Sequence, residues 1–169
     1  MNDHVVYFAH GKESGPWGTK ITALAEVAKA KGFHVESPDY SSMMDPEARV
    51  QELLDLKPAA KKHLVLFGSS MGSYVSTVAS QHIKPDGLFL LAPAFYRAGY
   101  EKQNPLPVAK ITMVVHGWDD ELIPVDDIVK YAKEHKARLL LVDSDHRLMS
   151  ALPLIEKCFA DFLDEILKI

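Results

Sequence analysis

The chain has 169 residues, 47% of them hydrophobic and 25% charged, which fits one ordinary globular domain that buries its core without disulfides or a structural metal. Its net charge of −4, with no basic cluster, argues against nucleic acid or an acidic membrane surface as a partner. The single cysteine, Cys158, excludes an internal disulfide; with no signal-like start and no apolar run of membrane-crossing length, the cytoplasm is the expected location.

Residues 5–10 (VVYFAH) read as a buried strand, and residues 17–31 as a helix with Ile21, Leu24, Ala25 and Ala28 on one face, stopped by Gly32. A second strand is expected over 33–37, then a helix over 46–56 with Asp45 as N-cap and Pro46 in its first position. Strand 63–68 leads into a helix over 71–82, and strand 87–92 into an irregular stretch over 93–110. Strand 111–116, helix 126–135, strand 138–143 and helix 153–168 complete the chain, the last placing Cys158 on its apolar face. Most strand runs are apolar throughout, as strands covered on both faces are. The alternation predicts a doubly wound α/β domain spanning 1–169, with a mostly or wholly parallel six-stranded sheet and helices on both faces.

The third strand runs into Gly68-Ser69-Ser70-Met71-Gly72, a G-x-S-x-G between strand and helix. A serine presented on so sharp a turn needs glycine two residues to either side, where a side chain would strike neighbouring backbone. The spacing selects Ser70 over Ser69 as the nucleophile. A serine hydroxyl also needs a base, and the base an orienting acid. In this arrangement both lie past the C-terminal ends of later strands, acid before histidine. Asp119, Asp120 and Glu121 follow strand 111–116, and His146 follows strand 138–143.

These motifs resemble the α/β-hydrolase superfamily over residues 5–169, and most of all its small lidless bacterial members. HGWDDELIP, residues 116–124, is similar to that family's H-G-x-x-D-x-x-[VI]-P, which selects Asp120 as the acid with Asp119 as runner-up. Asp145-His146 resembles the family's residues at the catalytic histidine. His10-Gly11-Lys12 resembles its oxyanion loop, which implies that the backbone N–H groups of Lys12 and Met71 hold the oxyanion and that His10 is structural. The resemblance implies a minimal fold without a cap domain, and a cofactor-free serine hydrolase that cleaves a small-molecule ester or thioester through an acyl-enzyme. Two other readings stay open: a binding protein that keeps the architecture, and acyl transfer by the same triad.

Aromatic residues near the strand ends are candidates to line a substrate pocket: Phe95, Tyr96 and Tyr100 in the long loop, and Trp118 after the fifth strand. GKESGPWGTK, residues 11–20, lacks the spacing of a phosphate-binding loop, G-x-G-x-x-G is absent, no H-E-x-x-H or cysteine pair occurs, and orienting or loop roles suit Asp143-Ser144-Asp145-His146 better than metal binding.

Overall fold

The computed structural model describes all residues, 1–169. Six strands form one sheet: β1 (His4–Ala9), β2 (His34–Glu36), β3 (His63–Ser69), β4 (Gly87–Leu91), β5 (Ile111–Gly117) and β6 (Arg138–Val142). Five helices separate or follow them: α1 (Thr19–Ala30), α2 (Pro46–Asp55), α3 (Met71–Ile83), α4 (Val125–His135) and α5 (Leu152–Ile166). Strand order is β2-β1-β3-β4-β5-β6, and every pair is parallel.

Alternate residues of each central strand feed two cores. Val6, Phe8, Val65, Phe67, Phe89 and Val115 face α1 and α5, where Leu24, Phe159 and Phe162 meet them. Leu66, Leu88, Leu90 and Val114 face α2, α3 and α4, against Leu53, Val75, Ile128 and Tyr131. A strand with no polar face is the sequence form of this double burial. β2 departs from it: only three residues long, it sits at the sheet edge with His34 and Glu36 exposed.

Local signals place the helix ends. The Asp45 carboxylate accepts the Glu47 N–H at 3.1 Å, with Pro46 in the first turn, and Gly32 lies beyond α1 at φ +87°. α1 begins two residues later than its periodicity suggests, because Gly15-Pro16-Trp17-Gly18 forms a loop that leaves Trp17 exposed. No helix is long and apolar enough to cross a membrane.

Strand order reverses between β1 and β3: β2 lies outside β1, whereas β3 and all later strands lie on its other side. A crevice opens at the C-terminal edge of such a switch point. The register pairs Ala9 with Gly68, so the loop after β1 and the turn after β3 emerge side by side.

Candidate active site

Ser70 occupies the turn between β3 and α3 with φ +55° and ψ −116°, a conformation an L-residue holds only when its surroundings impose it. The Ser70 N–H donates to Leu91 O at 2.9 Å, and the Ser70 carbonyl accepts the N–H of Ala94 at 3.1 Å. The two glycines permit the turn. A Cβ on Gly68 would overlap the backbone of Gly72 and Ser73, and one on Gly72 would overlap Ala9. Ser69 remains part of β3, paired with Leu91.

Ser70 Oγ lies 2.9 Å from His146 Nε2, and His146 Nδ1 lies 2.7 Å from Asp120 Oδ2. The carboxylate partner requires the proton on Nδ1, which leaves Nε2 to accept the serine proton. Asp120 Oδ1 accepts the N–H groups of Leu122 and Ile123 at 2.9 and 2.8 Å, so both carboxylate oxygens are engaged. Burial opposes ionising this group. The hydrogen bond from His146, that from Ile123 and the nearby imidazoles outweigh burial and hold the Asp120 carboxyl below its ordinary range.

The rest of HGWDDELIP builds this carboxylate's seat. His116 is wholly buried and donates from Nε2 to Ile123 O at 2.9 Å, closing the Asp120 loop. Burial first of all lowers its pKa, so the ring stays neutral. Gly117 lies where a Cβ would overlap the carbonyls of Ser144 and Asp145, so the acid and histidine loops touch backbone to backbone. Asp119 is exposed; its backbone N–H, not its carboxylate, reaches Ser144 O at 3.1 Å.

Across from the relay, Lys12 and Met71 line the same cleft as Ser70. Neither N–H donates to a backbone carbonyl. Arg49 of α2, fully buried, orders the Lys12 loop. Its Nη1 donates to His10 O at 3.0 Å and Gly11 O at 3.1 Å, its Nη2 to Lys12 O at 3.2 Å, and its Nε to Met43 O at 2.7 Å. No carboxylate lies within 4.0 Å of it, so three successive carbonyl dipoles solvate this buried guanidinium. The Gly11 carbonyl and the Lys12 N–H are opposite ends of one trans peptide unit. Drawing the carbonyl toward Arg49 turns the N–H the other way. His10 completes the brace: its Nδ1 donates to Gly11 O at 2.7 Å and its Nε2 accepts the Tyr40 N–H at 2.9 Å. That pattern needs a neutral ring, and burial pushes the His10 pKa down.

No family model matches the chain, and no curated protein matches it. Solved structures do. A candidate hydrolase of the alpha/beta superfamily from Xanthomonas campestris pv. campestris is 38% identical, over 96% of this chain and 99% of that one, with a TM-score of 0.85. The chain belongs to the α/β-hydrolase superfamily. Two more distant likenesses concern the fold alone. Est1E from Butyrivibrio proteoclasticus, solved with ferulic acid bound, is 16% identical over 99% of this chain and 91% of its own, with a TM-score of 0.81. A lidless α/β serine hydrolase from Xanthomonas campestris is 20% identical over 98% and 83%, with a TM-score of 0.69.

The cleft of this α/β-hydrolase has a volume of about 970 Å³ and opens to solvent. Of the aromatic residues expected to line it, only Tyr100 does, held edge-on by Tyr74 at a 4.9 Å ring separation. Phe95 is a core residue instead: 1% exposed, it packs on Tyr131 at 4.3 Å. Tyr96, at φ +54°, turns away beneath Lys130. Trp118 stands 55% exposed beyond the cleft, its backbone N–H donating to Val142 O at 2.9 Å. The long loop has no helical or strand period, so its sequence does not reveal which side chains turn inward. Instead Ala94, Arg97, Leu122 and Ile123 supply that wall.

Sequence reasoning gave no role to Arg49, which braces the Lys12 loop, and none to His116 beyond its place in HGWDDELIP. An arginine in an otherwise amphipathic helix reads as solvent-facing, and only its position at 0% exposure marks it.

Proposed function

We propose that this chain is a serine hydrolase of small carboxylic esters or thioesters, working through an acyl-enzyme on Ser70. The observation that carries the reading is the unbroken relay from Ser70 Oγ through His146 to the buried Asp120 carboxylate, on the floor of an open cleft.

Ser70 Oγ attacks the substrate carbonyl as His146 Nε2 takes its proton. Asp120 holds the imidazole in the tautomer this requires and stabilises the imidazolium that forms. The tetrahedral oxyanion is held by the N–H groups of Lys12 and Met71, each donor worth about 3 kcal/mol of transition-state stabilisation. Collapse returns the proton from Nε2 to the departing alcohol or thiol. Water then enters beside His146, whose side chain is 18% exposed while that of Asp120 is fully buried. His146 deprotonates it, and a second collapse breaks the acyl–Oγ bond, returns that proton from Nε2 to Ser70 Oγ and frees the acid. Solvent access to the base favours water over a second alcohol as acceptor. No step calls on a cofactor.

The test is labelling with a fluorophosphonate, read by mass spectrometry, alongside hydrolysis of p-nitrophenyl acetate. An adduct on Ser70, and a loss of turnover of roughly 10⁶-fold in Ser70→Ala, are expected. A folded protein that neither labels nor hydrolyses would be a binding protein on this fold.

A further inference from the structure

The protein carries a net charge of −4, yet its cleft is cationic. Lys12, Lys20, Arg97 and Arg147 line it with Ser70 and His146, against one acidic lining residue, Glu13. None of the four cations has a carboxylate within 4.0 Å, so their charge faces the cleft without a paired acid.

Two of the four are held in place by neutral carbonyls. Lys20 Nζ donates to Arg147 O at 2.6 Å, beside His146, and Arg97 Nη1 donates to Leu122 O at 2.8 Å, on the Asp120 loop. Lys20 is thus anchored to the His146 loop and Arg97 to the Asp120 loop. Lys20 also occupies the first turn of α1, where the helix dipole disfavours a positive charge and no acidic residue compensates it. Burial lowers the Lys20 pKa from its ordinary value and Arg147 adds repulsion, only partly offset by the Asp145 carboxylate further off. Neither anchoring bond neutralises charge, and Lys20 and Arg97 keep unused donors.

We infer that the substrate is an anionic ester, with a carboxylate remote from the scissile carbonyl and received by Lys20 or Arg97. This rests on Ser70 being the nucleophile. The chemistry at the carbonyl is unchanged; the cations act on the remote end. They raise the local concentration of anionic substrate and fix its orientation. A partly solvated ion pair with one of them contributes about a 2- to 5-fold effect, and the field of the other lining cations raises this to about 10-fold.

The experiment compares kcat/KM, per ester bond, for monoethyl adipate and diethyl adipate at pH 7.5, by ethanol release. The two differ chiefly in one negative charge. The wild type is expected to prefer the monoanion about 10-fold at low salt. The preference should shrink in 0.5 M NaCl, where screening is short-ranged, and fall to about 2-fold or less in Lys20→Met/Arg97→Met. Equal use of both esters, preference for the diester, or a preference that the double variant retains would overturn the inference. If diethyl adipate is cleaved, and Ser70→Ala abolishes this, the reading of Ser70 stands whatever the charge preference. If neither ester is cleaved while Ser70 labels with a fluorophosphonate or p-nitrophenyl acetate is hydrolysed, the anionic-ester inference alone falls.

Discussion

Arg49 Nη1 and Gly11 O are joined by a 3.1 Å hydrogen bond linking the buried face of α2 to the loop beside Ser70. The same guanidinium also holds the carbonyls of His10 and Lys12, so three successive peptide units are oriented by one side chain. The N–H of Lys12 is the opposite end of the Gly11 carbonyl's peptide unit, and its aim depends on that bond. Arg49→Met should therefore lower kcat by about 10²-fold, close to the loss of one oxyanion donor, with KM little changed. Arg49→Lys, which keeps the charge but not the fork of donors, should restore only part of it. Steady-state kinetics alongside thermal melting separate this from unfolding. A fall in Tm with unchanged kcat in the folded fraction would make Arg49 structural only.

The two neighbouring acids are expected to behave oppositely. Asp120 accepts from His146, Leu122 and Ile123, whereas the Asp119 carboxylate faces solvent. Asp120→Asn should lower kcat by about 10⁴-fold, because an amide does not hold the imidazole in the required tautomer. Asp119→Asn should stay within a few-fold of wild type. The reverse ranking in an ester hydrolysis assay would move the acid to Asp119.

Two buried neutral histidines link stability to pH. Burial depresses the pKa of His10 and His116 below the value each has when unfolded. Between the two values the unfolded chain binds more protons, so stability is full above the unfolded pKa of about 6.5 and is lost as pH falls toward the folded one. The Tm should drop between pH 7.5 and pH 5. His10→Asn and His116→Asn should each be less stable at pH 7.5 but show a shallower acid slope. An unchanged slope in both variants would remove these histidines as its source.

Gly117 is where the loops of the acid and the histidine touch. Gly117→Ala places a methyl group on the carbonyls of Ser144 and Asp145, and the loops must part. A displacement of about 1 Å between His146 and Asp120 is expected to cost about 10²-fold in kcat. The accompanying loss of stability should be about 1–3 kcal/mol, in the range of other overpacked sites. Kinetics and urea unfolding of the same variant measure the two effects.

The strands and helices were legible in the sequence because their signals are local. Runs such as Leu64–Phe67 with no polar face announce burial on both sides, and Asp45-Pro46 announces a helix start. Gly68 and Gly72 around Ser70 were legible for the same reason: the clash they avoid involves backbone within a few residues, or on the adjacent strand. Parallel strands also put every βα turn at one edge, so the positions of Asp120 and His146 after their strands already placed both at the edge where Ser70 stands.

Contacts between distant segments were decided only by the tertiary structure. Arg49 lies 38 residues from Gly11, and its helix gives no sign that the guanidinium turns inward to meet three carbonyls. In the loop after β4, Tyr96 adopts a positive φ that sends Phe95 into the core and leaves Arg97 and Tyr100 to the cleft. A periodic segment reveals its buried face because the repeat of the backbone is known in advance. An irregular loop has no repeat, and its side chains turn where the elements around it leave room.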